Sequence, residues 1–310
     1  GRVKDHYVEV DIADTRIIMR DAYSPSLQKL ADGSIVMTDG KKVDNVKADT
    51  NPSYDFTNHS ELLDSIREKG LYFSSIRSAD GGNTWRPVPP QPYRGRPSSK
   101  GVLADGTAVG LFARTHPVDD QPGVYVGKRW VWKDNWETVT QEIVYVKTPE
   151  FFPGYADQGP GEGIGGPCFH TDFLKLPNGD LIAAVMANFE EDTGFTNTRI
   201  KWRSILVRST GGGESWEYVS TIASMASLET TDQEAVDNIP QGFVEPSIAR
   251  LPDGNLVCVI RTGVFAHPTG PSVSYHDLQY THLKDGKYYT TSKDLTQPLY
   301  VTLSTDDGET

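Results

Sequence analysis

The chain has 310 residues, 37% of them apolar and 23% charged, with a formal net charge of −12. That balance belongs to a folded globular protein rather than a disordered one, and its acidity argues against a nucleic-acid binder or electrostatic docking on anionic lipid. No apolar run approaches the roughly 20 residues of a membrane helix, so membrane insertion is not expected and small molecules or glycans remain as partners. The chain opens Gly1-Arg2-Val3, with neither an initiator Met nor an apolar signal segment. That start reads as an imposed boundary, silent on export.

Tyr7-Val8-Glu9-Val10-Asp11-Ile12 alternates as a strand does. From residue 30 a phrase recurs: Leu30-Ala31-Asp32-Gly33, Leu103-Ala104-Asp105-Gly106, Leu176-Pro177-Asn178-Gly179 and Leu251-Pro252-Asp253-Gly254, its leucines 73, 73 and 75 residues apart. Each copy lies between short strand-like runs, and Asp-Gly or Asn-Gly there is a strong hairpin signal because the turn needs positive φ. Residues 60–69, opening on Ser60 and followed by Gly70, offer one or two helical turns as an insertion. Nothing else sustains a helical period. Seventy-odd residues per repeat, mostly strand, suits one four-stranded propeller blade with long loops. Cys168 and Cys258 are the only cysteines. They support neither a disulfide scaffold nor a zinc site, and Cys258, inside an apolar run, reads as an inert buried thiol.

A second phrase falls late in the repeats: Ser78-Ala79-Asp80-Gly81-Gly82-Asn83-Thr84-Trp85, Ser209-Thr210-Gly211-Gly212-Gly213-Glu214-Ser215-Trp216, and Ser304-Thr305-Asp306-Asp307-Gly308-Glu309-Thr310. Its aspartate can accept from the turn backbone and its tryptophan can bury between blades. The second copy has Gly211 for the aspartate, and repeat two keeps only Trp132-Lys133-Asp134-Asn135-Trp136. The phrase resembles the Asp box of the sialidase (neuraminidase) superfamily of BNR-repeat proteins. That resemblance implies an all-β, six-bladed β-propeller in which the boxes are structural. The chain would then be a single domain, 1–310, truncated at its C-terminus. It would cover four blades, about 21–92, 93–165, 166–240 and 241–310, with residues 1–20 lending a closing strand. The family also implies a secreted, periplasmic or cell-surface location.

Propeller ligands bind at one end of the axis, so residues flanking each first strand are candidates. Six residues before each phrase leucine stand Ser24, Pro97, His170 and Glu245; after the next strand come Gly40, Ala113, Met186 and Arg261, with Arg114 one further on. A hairpin brings Glu245 and Arg261 to one end, where arginine can bind a carboxylate and glutamate can polarise a hydroxyl. In the resembled family, a glutamate assisting a tyrosine nucleophile and the second substrate-binding arginine stand there. The family's first arginine is missing: Tyr23-Ser24-Pro25 occupies its place. Arg20 lies three residues upstream, an offset that reverses strand facing, and the hydroxyls of Tyr23 and Ser24 suit a neutral sugar. For the general acid, an aspartate before the first box, Asp64 is the candidate, with Asp44 and Asp49 further back. Four glycines among residues 161–166 allow a close backbone approach, and His170 beyond them can serve as base or sugar ligand. Glu190, Glu191 and Asp192 line the mouth or are solvated. The expected catalytic set is therefore Glu245, Asp64 and His170, and the substrate-binding set Arg261, Arg20, Tyr23 and Arg114. Neither a metal nor a cofactor is expected. The resemblance implies a sialidase-like glycoside hydrolase acting on terminal sugars of a glycan. A catalytically inactive carbohydrate-binding propeller and a propeller polysaccharide lyase remain open alternatives.

Overall fold

All four recurring phrases close their hairpins in the same way. The glycine N–H bonds back to the leucine carbonyl at 2.9–3.1 Å, and in the last three the leucine N–H bonds to the carbonyl of Thr107, Asp180 or Asn255 at 2.8 Å. Gly33, Gly106, Gly179 and Gly254 have φ of 83°, 88°, 95° and 92°, while their neighbours Asp32, Asp105, Asn178 and Asp253 do not share the positive φ. A mirror-image two-residue turn would need both residues positive. These are therefore ordinary turns finished by one left-handed glycine. In the computed structural model the described residues are 26–38, 75–88, 97–133, 136, 138–149, 166–192, 201–228, 242–262, 281–284, 287–290 and 299–310. The helical candidate at 60–69 and the strand candidate at 7–12 lie outside them.

The chain divides into two compact units, Gly1–Lys29 with Ser34–Gly95, and Leu30–Gly33 with Arg96–Thr310. The first unit carries β1 (Ser26–Lys29), β2 (Ile35–Thr38), β3 (Ser75–Ser78) and β4 (Arg86–Pro87), antiparallel in that order.

The second unit carries three further meanders. One runs β5 (Ser99–Val102), β6 (Ala108–Leu111), β8 (Val124–Lys133), β9 (Thr138–Lys147), with the short β7 (His116–Pro117) added beside β8. The next opens on a broken strand, β10 (Cys168–Phe169) and β11 (Leu174–Lys175), and continues through β12 (Leu181–Ala187), β13 (Arg203–Ser209) and β14 (Ser215–Ala223). β14 pairs in parallel with β9, joining these two meanders at their outer edges. The last meander comprises β15 (Phe243–Arg250), β16 (Leu256–Thr262) and β19 (Leu299–Ser304), while β17 (Thr281–Lys284) and β18 (Lys287–Thr290) form a separate hairpin. Among the described residues, helical backbone is confined to two short turns at Glu190–Asp192 and Met225–Leu228. The fold is all-β, and its meanders follow the strand order of propeller blades.

Side-chain alternation explains why these meanders stack. On β12, Ala183 and Val185 enter a core with Val109, Leu111, Val146, Phe169 and Trp216. Ile182 and Ala184 point the other way, to Ile248, Leu256, Cys258 and Ile260. A strand buried on both faces needs this near-continuous apolar sequence, which Leu181–Ala187 supplies.

The second recurring phrase forms a tight polar turn. Ser78 donates to the Asp80 carboxylate at 2.8 Å, Gly82 N–H bonds to Ser78 Oγ at 2.8 Å, and Thr84 gives both its N–H and its hydroxyl to Asp80, at 2.8 and 2.6 Å. Residues 304–310 repeat each of these bonds. At 209–216, where Gly211 replaces the aspartate, the Gly213 N–H to Ser209 bond survives. Trp85 and Trp216 each donate Nε1 to a glycine carbonyl three residues back. Trp216 is fully buried, whereas Trp85 is only half-buried, so equal burial of the two, expected from the phrase alone, does not hold. In the degenerate copy Trp132 and Trp136 stack at 3.9 Å, with Trp136 at φ 78°.

Candidate functional site

The first strands of the third and fourth meanders are irregular at the end where the candidates gather. In β15, Val244 pairs with Arg261 and Ser247 with Val259, so Glu245 and Pro246 stand opposite Ile260 alone. That is a one-residue bulge, and Glu245 occupies its left-handed position at φ 50°. Two preferences are violated there. A non-glycine residue avoids positive φ, and a residue before proline prefers extended backbone. Strain of this kind costs on the order of 1–3 kcal/mol and collects at functional sites. Pro246 suits its own place, since a bulged residue need not donate to the ladder.

The bulge re-aims Glu245. In a regular strand it would alternate to the face opposite Val244 and therefore opposite Arg261. Instead Arg261 Nη2 donates to Glu245 Oε1 at 2.7 Å. His170 Nε2 lies 3.6 Å from the same oxygen. Among the described residues both contacts fall on Oε1, so Oε2 keeps its capacity to accept a hydroxyl or orient a water. The three side chains are 32%, 31% and 42% exposed. Each is accessible, yet held by a partner. Arg261 Nε is buried without a hydrogen-bond partner among the described residues.

His170 reaches this cluster through a larger irregularity. Phe169 pairs with Val185 and Leu174 with Ile182, so residues 170–173 stand opposite only 183 and 184. The register partner of Met186 is Cys168, whereas the equivalent partner of Arg261 is Val244. His170 and Glu245 are thus not register equivalents, although both precede their leucines by six residues. They meet because two bulges of different size converge.

Arg114 follows β6 and is exposed. Phe169 N–H bonds to the carbonyl of Ala113 at 3.0 Å, and Thr115 Oγ1 donates to Pro167 O at 2.7 Å. The Cys168 thiol is pushed up to about 12, chiefly by burial; Arg114 opposes the shift and Glu245 adds to it. Cys258 is likewise raised to about 12 by burial, matching the expectation of an inert thiol.

Asp192 departs from the expectation of a solvated or mouth-lining loop acid. It is buried and binds Arg203 through both oxygens, at 2.6 and 2.8 Å, while accepting the Phe189 N–H at 2.7 Å. Glu191 completes the cluster on Arg203, whose guanidinium lies 4.5 Å from the centre of the Phe189 ring. Burial pushes the Asp192 carboxyl up despite Arg203. These groups tie the β12–β13 connection and are structural. Arg20, Tyr23, Ser24, Asp44, Asp49 and Asp64 lie outside the described residues. Two polar residues missed in the sequence border the site: Thr171, whose hydroxyl donates to the Pro246 carbonyl, and Asp172, which accepts the Lys100 N–H at 2.8 Å. Burial raises the Asp172 carboxyl, and Lys100 opposes the shift. The proline after Glu245 was the available signal for the bulge.

No family model matches the sequence, and no curated protein matches it. Solved structures do. A protein of unknown function from Dyadobacter fermentans shares 17% identity at a TM-score of 0.44, over 93% of this chain and 66% of that one. The GH93 α-L-arabinofuranosidase of Fusarium graminearum, solved with arabinobiose, shares 16% at 0.44, over 97% of this chain and 67% of that one. A Hadza microbial sialidase shares 15% at 0.41, over 86% of this chain and 46% of that one. The chain thus spans between 46% and 67% of the length of these three proteins.

Proposed function

We propose that this chain carries part of a sialidase-like glycoside hydrolase acting on the terminal sugars of glycans outside the cytoplasm. One observation carries the reading: Glu245 is held in a strained bulge that turns its carboxylate onto Arg261 and His170. A structural ion pair between two strand ends needs no such conformation. In this reading Glu245 Oε2 orients and deprotonates the attacking hydroxyl or water, Arg261 holds Glu245 and a polar group of the sugar, and His170 borders the same face. Arg114, Arg20 and Tyr23 serve as further sugar contacts, and Asp64 as the proton donor. The recurring serine–aspartate–glycine turns are structural Asp boxes of BNR repeats.

The test is a panel of exo-glycosidase substrates, neutral and anionic, assayed on the protein and on Glu245→Gln and Arg261→Ala. Turnover should fall by at least a hundredfold in the first variant with binding retained, and binding should fall in the second. Unchanged turnover in Glu245→Gln removes it from the catalytic set. Two other readings have distinct outcomes. Sugar binding without turnover would identify a carbohydrate-binding propeller. Unsaturated products from a uronic-acid polysaccharide would identify a lyase, a reading that the His170–Glu245 contact favours because a carboxylate-oriented imidazole can abstract a proton.

A further inference from the structure

The bulge at Glu245 is strained, and a strained conformation persists only where its surroundings hold it. The support comes from the neighbouring meander. Residues 170–173 protrude from the first strand of the third meander because four residues there face two. Each side of that protrusion is tied down. Asp172 accepts the N–H of Lys100 in β5, on the side of the second meander. Thr171 Oγ1 donates to the carbonyl of Pro246 in β15, on the side of the fourth. Pro246 has no N–H, so its carbonyl is the one polar main-chain group that this residue offers. Residue 171 also follows His170 directly, so one short segment supplies both the histidine that meets Glu245 and the hydroxyl that fixes the bulge.

We propose that Thr171 is a positioning residue of this site. By holding the Pro246 carbonyl it keeps Glu245 left-handed, with its carboxylate on Arg261 and His170. Without that donor the bulge relaxes toward extended backbone, and Glu245 swings off the face it shares with Arg261. The inference rests on the reading of the site given above for its consequence in turnover, but not for its geometry.

The geometry is tested without a substrate. Ring signals of His170 are recorded by nitrogen–proton correlation NMR on the whole protein at one fixed pH. Glu245→Gln defines the displacement that accompanies loss of the carboxylate. Thr171→Val should move the His170 signals at least half as far in the same direction, and Thr171→Ser should leave them in place. Ser204→Ala is the control. It removes the Ser204 bond to the Phe243 carbonyl, on the same strand just before the bulge and in regular register, and should not move them. Should Thr171→Val not fold, Thr171→Ala carries the same test. His170 signals unmoved in the folded valine or alanine variant overturn the proposal, as do signals moved equally by Ser204→Ala. On any substrate that the protein cleaves, kcat should fall ten- to a hundredfold in Thr171→Val with KM within twofold, and recover in Thr171→Ser. A protein that cleaves nothing defeats the hydrolase reading, while the spectra still decide the role of Thr171.

Discussion

Glu245 sits where glycine would rest more easily. Its φ of 50° is open to glycine without penalty, so Glu245→Gly should remove strain while deleting the carboxylate. We expect its melting temperature to match or exceed that of the unmodified protein, by up to about 1 kcal/mol of stability. Turnover of any glycan that the protein cleaves should be lost. A large drop in melting temperature would show that the Arg261 contact holds the fold rather than the site. Asp192 presents the opposite case. It and Arg203 are buried and matched to each other, and removing Asp192 leaves the buried guanidinium, among the described residues, with Glu191 as its one charged partner, whose side chain is 70% exposed. Asp192→Ala should destabilise by about 3–5 kcal/mol in denaturant titration and leave the binding of any sugar that the protein takes unaltered where it remains folded.

The recurring turns contain their own control. Thr84 chiefly, with Ser78, holds Asp80 down to about 2 from the usual 3.8, and Thr310 with Ser304 does the same for Asp306. A depressed carboxyl contributes stability that is complete above its unfolded value and is lost as pH falls through the folded one. Order in these two turns should therefore persist down to about pH 4 and disappear as pH falls through 2. Gly211 leaves the middle copy with no carboxylate at that position, so it should be indifferent to this titration. Amide signals followed from pH 5 to 2 will check the contrast; equal acid sensitivity in all three turns would defeat it. Burial separates the tryptophans in the same fashion. Trp216→Ala should cost about 3–5 kcal/mol, as for large core aromatics, and Trp85→Ala clearly less, since its ring is already half wet.

Among the described residues, the strand that exposes the most large apolar side chains is β19. Leu299, Val301 and Leu303 are 64%, 63% and 62% exposed, all on one face and paired through the ladder with Arg261, Val259 and Val257. Among the described residues β19 is also the edge of its sheet, and an apolar edge strand invites association. Val301→Lys should reduce light scattering at high protein concentration with little change in melting temperature. Persistent scattering would place the sticky surface elsewhere.

What the sequence determined by itself is periodic. Four phrases at nearly constant spacing announced four hairpins, and left-handed glycines close all four, because a turn is a local event decided by a few neighbouring residues. The pairing of Glu245 with Arg261 was legible for the same reason, since one hairpin returns the chain to its starting end. The shape of the site was not. Whether a first strand runs straight or bulges depends on what its neighbours can hold, and Thr171, Pro246, Asp172 and Lys100 come from three meanders. Counting back from each leucine set His170 level with Glu245. The ladders place them one register step apart, and only two unequal bulges bring them within 3.6 Å. Likewise Asp192 looked like a solvated acid in an acidic run until Arg203, eleven residues on, enclosed it. Local turns follow from local residues, but burial and strain belong to contacts between strands distant in the chain, and those the tertiary structure alone decided.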